Sequence, residues 1–135
     1  MSSRGSYAVN GHVTTNEYTT IHIDEAGGKI LNGTSSKSHS LPDYAHTPNS
    51  AYVKLKPDGM TLHEMRFYDE KGHPIIEIAY HPEPKINNGN REDSIVHFHI
   101  YKGLDRDPAQ RMDEHLEIKE KYAKYLKEYG LYDKC

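Results

Sequence analysis

Cysteine, tryptophan and phenylalanine are nearly missing from this 135-residue chain, at one, none and two residues. With Cys135 alone, neither an intrachain disulfide nor a cysteine-based zinc site can form. No apolar run is long enough for a signal peptide or a membrane span, so no membrane partner is expected and a cytoplasmic location is. The final YDKC does not place its cysteine four from the end, as prenylation requires. Walker, GxGxxG, GxSxG and HExxH patterns are absent, as is zinc-finger spacing, which leaves nucleoside-triphosphate chemistry and serine hydrolysis without support. Apolar material is scarce too: 35% of residues are hydrophobic and the mean hydropathy is −0.89. A thin sheet packed on one side fits that supply better than a two-sided α/β core. Net charge is −3, so bulk attraction to nucleic acid is not expected, although a local basic groove is allowed. What the chain has instead is ten histidines and eleven tyrosines.

The organising stretch is Arg66 to Tyr101. Period-two alternation predicts strands at 51–56, 60–69, 75–81 and 94–101. Pro57-Asp58-Gly59 and the run from Asp69 to Pro74 are the turns between the first three. The pleat sends Met65, Phe67, Ile76, Ile78, Tyr80, Val96, Phe98 and Ile100 to one face. Arg66, Tyr68, Glu77, His81, His97, His99 and Tyr101 go to the other.

Residues 1–16 are small and polar and read as a flexible arm. A strand is expected at 17–23, a turn at 24–28 and a short return strand at 29–31. Residues 32–50 form a long loop, either a solvated connector or an active-site lid carrying His39, Asp43, Tyr44 and His46. Asp107 before Pro108, with Gln110 in the capping-box position, predicts a helix start. Met112, Leu116, Ala123 and Leu126 continue it at helical spacing, and Gly130 caps it. The expected fold is a single α+β domain over 1–135. It is an antiparallel β-meander of four to six strands with one long C-terminal helix, 108–129, packed on the apolar face. The polar face is then left open.

Three arrangements on that face could carry chemistry. His97 and His99, about 7 Å apart along one strand, could chelate a cation or act as base and acid across a scissile bond. Glu77 and His81 share the face and could join them. Arg66 could hold a phosphate, or could equally form a cross-strand ion pair with Glu77. The helix segment EIKEKYAKYLKEYG reads as packing with a solvated side.

The segment from Thr47 to Lys102, with its RFYDEKGHPIIEIAYH run and HFH strand, resembles small proteins and C-terminal extensions of prophage and polymorphic-toxin loci. Small barnase-like nucleases occur beside them. The resemblance carries over Arg66, Tyr68, Asp69, Gly72, His81, His97 and His99, and implies the cytoplasm of a host bacterium. The functional expectation is a toxin-like nuclease cleaving RNA without metal. His97, His99, His81, Glu77 and Arg66 would be catalytic, and Tyr68, Tyr101 and His46 would bind substrate. No cofactor and no tightly bound metal are expected, because Arg66 would repel a cation and no partner orienting the histidines is visible in sequence. The alternative is a phage or mobile-element protein that binds a host protein. An immunity protein is a further candidate partner.

Overall fold

A computed structural model describes residues 7–9, 12–14, 18–33 and 41–135. Twelve elements organise them. The strands are β1 (Tyr7–Val9), β2 (His12–Thr14), β3 (Tyr18–Ile23), β4 (Lys29–Gly33), β5 (Ala51–Leu55), β6 (Leu62–Tyr68), β7 (Pro74–His81), β8 (Ile95–Lys102), β9 (Asp105–Arg106) and β10 (Gln110–Arg111). Two short helices follow, α1 (Leu116–Lys121) and α2 (Ala123–Glu128).

The fold is α+β. β10-β8-β7-β6-β5-β4-β3 run side by side, and β9 pairs with β8 beyond β10 to make an eight-stranded sheet. β5 to β8 form the antiparallel meander read from the sequence. Met65 stands opposite Ile78, and Ile78 opposite Phe98. Arg66 stands opposite Glu77, and Glu77 opposite His99. This register puts the two expected sets of side chains on opposite faces.

Several expectations need correction. The sheet has more strands than the four to six expected, because β9 and β10 are two residues each and too short to show a period. It is mixed, since β4 and β5 are parallel. The connection between them must therefore cross over and cannot be a hairpin. The 32–50 loop is partly strand, as β4 reaches Gly33; residues 34–40, including His39, lie outside the described residues. So does most of the 1–16 arm, apart from β1 and β2, which pair antiparallel.

The long helix from 108 to 129 is not formed. Asp107 does not start it: its N–H donates to Ile100 O (2.9 Å), and Gln110 and Arg111 pair with Phe98 and His97. The unsatisfied edge of β8 takes this segment as strand, against its helix-start signal. A 3₁₀ turn at Met112–Glu114 follows, and the helical stretch breaks again at Tyr122 (φ −107°, ψ 21°), whose ring lies in the core on Phe67. The end of the stretch is as expected. Gly130 (φ 68°) donates to Lys127 O at 3.2 Å and Leu131 to Leu126 O at 2.8 Å, a Schellman cap.

The helical segment does cover the apolar face. Met112, Tyr122, Leu126 and Leu131 pack with Val53, Met65, Phe67, Ile78 and Phe98 in one buried cluster. Full burial of each large apolar side chain contributes roughly 1.5–3 kcal/mol. Tyr129 adds a polar tie, donating its hydroxyl to buried Asp24 in the β3–β4 turn.

The polar face is open only in part, contrary to expectation. A second small core of Leu31, Leu41, Tyr52 and Tyr68 lies apart from the main one. The 41–50 segment is pinned onto it by Ala45 N–H to Gly72 O (2.8 Å) and Asn49 N–H to Asp69 O (2.9 Å). It is not a free lid. No described helix is long and apolar enough to cross a membrane.

Candidate functional site

Arg66 is buried and engaged inside the protein through both terminal nitrogens, while its Nε has no hydrogen-bond partner among the described residues. Its guanidinium donates to Leu41 O (3.0 Å), Pro42 O (3.1 Å) and Glu77 Oε2 (3.0 Å). Burial works against its charge, but Tyr68 and Glu77 outweigh that and hold the group protonated. Tyr68 donates to Pro42 O. Glu77, 1% exposed, also takes Arg106 Nη1 and the Tyr101 hydroxyl, each at 3.4 Å. Burial, with Glu77 nearby, pushes the Tyr101 hydroxyl up to about 12. Of the two readings of Arg66, the cross-strand ion pair is the one formed. His46 lies apart, exposed on the 41–50 segment, with its N–H 3.4 Å from the Tyr52 hydroxyl.

The histidines form a row across three strands. His63 stacks on His81 (centroids 5.1 Å), His81 meets His97 edge-on (4.7 Å), and His97 meets His99 edge-on (5.6 Å). His97 Nδ1 is 2.8 Å from Ile95 O, and His99 Nδ1 is 2.8 Å from Asp107 O. His81 Nδ1 likewise lies 2.9 Å from Pro82 O. A carbonyl can only accept, so each Nδ1 carries the proton and each neutral ring keeps its lone pair on Nε2.

The local backbone explains the His99 partner. Arg106 pairs with Tyr101 and Gln110 with Phe98, so four steps on one strand face three on the other. The extra residue falls around Pro108, which has no N–H to give the ladder. This bulge turns the Asp107 carbonyl toward His99. Burial is the main reason both imidazoles bind protons weakly. His97 is lowered to about 4, with His81 and His99 adding to burial against the Ile95 carbonyl. His99 is also lowered, mainly by burial, with Arg106 adding to it against the Asp107 carbonyl. Both are neutral at pH 7.

Sequence reasoning missed Glu83. It sits between Pro82 and Pro84, where β7 ends and a 3₁₀ turn begins. Its carboxylate and one ring nitrogen each of His97 and His99 lie within 4.8 Å of one another. Arg111 fixes the turn by donating to Ile86 O at 3.1 Å. The only hint in the sequence was the HPEP run after His81, where two prolines hold an acid rigidly. Against two of the trio, Glu83 and His99, opens a cleft of about 300 Å³, whose lining also includes Lys85, Arg106, Asp107 and Pro108. Lys85 and Arg106, also missed, bring two cations to its lining beside the carboxylates of Glu83 and Asp107.

Of the residues expected to act together, the structure joins His81, His97 and His99 in one row. Glu77, Arg66, Tyr68 and Tyr101 form a neighbouring internal network. His46 belongs to neither. Searches with this sequence found no matching family model, no matching curated protein and no matching solved structure.

Proposed function

We propose that this protein is a small phosphodiester-cleaving enzyme that acts on RNA at the cleft beside Glu83, His97 and His99. One observation carries the reading. Two neutral imidazoles and a carboxylate converge, with His99 and Glu83 lining a cleft that also holds Lys85 and Arg106 and His97 buried beside them. Arginine and lysine suit the bridging phosphate. Arg106 thereby takes the part that the sequence offered to Arg66.

The Glu83–His97–His99 group activates the attacking 2′-hydroxyl. The 2′-oxygen bonds to phosphorus, its proton leaves through the cluster, and the bond from phosphorus to the 5′-oxygen breaks. Solvent protonates the departing 5′-oxygen. The cations oppose the charge that grows on the phosphorane.

Support for the host-protein binder is weaker. Tyr52, Tyr68 and Tyr122 are buried, and Tyr129 is tied to Asp24, so part of the tyrosine content serves the interior.

The test is cleavage of end-labelled single-stranded RNA by purified protein. His99→Ala is expected to slow it by about 100-fold or more, as losses of acid–base groups do. Arg106→Ala is expected to weaken substrate binding. Absence of cleavage above a buffer blank, or full activity in a His97→Ala/His99→Ala double variant, overturns the proposal.

A further inference from the structure

We propose that Glu83, His97 and His99 are the ligands of a divalent transition cation, with zinc the best match, and that its open coordination position faces the cleft. The site stands on geometry; its part in RNA cleavage rests on the reading above.

The first observation is the orientation of the rings. His97 and His99 each donate Nδ1–H to a backbone carbonyl, Ile95 O and Asp107 O, at 2.8 Å. Metal-bound histidines are commonly held this way, with the second nitrogen pinned and Nε2 left to bind. The second is His97 Nε2. The residue is 0% exposed, and this nitrogen is buried with no hydrogen-bond partner among the described residues. Leaving a buried acceptor unsatisfied is costly, and native proteins rarely do so without a reason. A cation would satisfy it. The third is the donor set. Two neutral imidazoles and one carboxylate make a half-open site with room for water or substrate, and this combination suits zinc and other borderline cations.

Distances fit after a small movement. Donor atoms around a tetrahedral zinc lie about 3.4 Å apart when each bond is about 2.05 Å. The three here fall within 4.8 Å of one another. His97 and His99 are fixed on a central strand, whereas Glu83 is only half-buried on a turn. The carboxylate is the ligand that closes in.

Both grounds on which the sequence argued against a cation change in the folded protein. Partners that orient the histidines are present. The Arg66 charge is met by Glu77 at 3.0 Å and does not confront the site unpaired. Lys85 and Arg106 in the lining are partly offset by Glu83 and by Glu77, which Arg106 also contacts. A cation here would lower the pKa of its bound water. The resulting hydroxide would take the 2′-hydroxyl proton and become water again.

The test uses untagged full-length protein, stripped with chelator and titrated with zinc against a chromophoric competitor. The expected result is one zinc per chain and a higher Tm on binding. Glu83→Gln, on the surface turn, and His97→Ala are each expected to weaken binding by about 100-fold or more, at least as much as losing an outer-shell partner elsewhere. His63→Ala, in the same row but outside the trio, is expected to leave it unchanged. No saturable binding, or equal binding by Glu83→Gln and wild type, overturns the metal site. RNA cleavage that persists undiminished in chelator overturns its catalytic part and leaves the enzyme reading intact. Zinc binding that depends on Glu83, in a protein that cleaves no RNA, upholds the site and overturns the enzyme reading.

Discussion

Replacing Arg66 by leucine separates a structural arginine from a catalytic one. Arg66 Nη2 is 3.0 Å from Glu77, and the paired side chains are 6% and 1% exposed. Nη1 also bonds the carbonyls of Leu41 and Pro42 at 3.0 and 3.1 Å. The substitution removes the Arg66 donor from the Leu41 carbonyl, leaves the Pro42 carbonyl to the Tyr68 hydroxyl, and leaves Glu77 with only the longer contacts to Arg106 and Tyr101, both 3.4 Å. Removing one partner of a buried pair costs about 3–5 kcal/mol, far above the value of an exposed pair. For a chain of this size, about 4 °C of Tm is lost per kcal/mol, so a fall of roughly 12–20 °C is expected. Thermal melting followed by far-ultraviolet circular dichroism measures the fall in Tm, and urea unfolding measures the loss of free energy. Arg66→Met/Glu77→Leu is expected to recover much of the loss, since no buried charge then stands alone. A single variant that loses under about 1 kcal/mol yet abolishes RNA cleavage would refute this reasoning and put Arg66 on the substrate.

Glu64 is buried beside Glu77, and burial first, with that neighbour second, raises its carboxyl to about 7, against the lowering pull of Arg66, Lys54 and Arg106. The folded state then keeps a proton that the unfolded chain gives up near 4.5, so stability falls as pH rises from about 4.5 to 7. Glu64→Gln should flatten that slope and gain about 1–3 kcal/mol above pH 7; superimposable stability profiles for the two proteins would exclude the effect. Gly72 has φ +80°, and a Cβ there would stand 2.2 Å from Ala45 O. Gly72→Ala is therefore expected to cost about 2–3 kcal/mol and to increase proteolysis within 41–50; unchanged stability would show that the segment gives way freely. Leu126→Ala, at 0% exposure under the sheet, is expected to cost about 2–5 kcal/mol by thermal melting, and a loss below 1 kcal/mol would mean that α2 is not anchored there.

The two-residue period between Ala51 and Lys102 is a property of the chain, so the meander and both of its faces were legible before any coordinates. So was the Gly130 cap, because a left-handed residue after a helix is a local requirement. The helix start at Asp107-Pro108 was legible and misleading. Its local signal competed with the open edge of β8, and pairing to Phe98 and His97 won. That outcome depends on a strand that precedes the signal in the chain.

Site residues divide along the same line. His97 and His99 share a face because of their spacing alone, and sequence suffices for that. Glu83 reaches them only because β7 and β8 are paired and Arg111 holds the intervening turn from the far side of β8. The capture of Arg66 by Glu77 needed the register of β6 against β7, together with a loop folded over both. Sequence determined which side chains lie on one strand face, since that follows from backbone geometry over two residues. Tertiary structure decided which of those were already satisfied by the protein's own groups and which kept a lone pair free, because burial and partners come from segments distant in the chain.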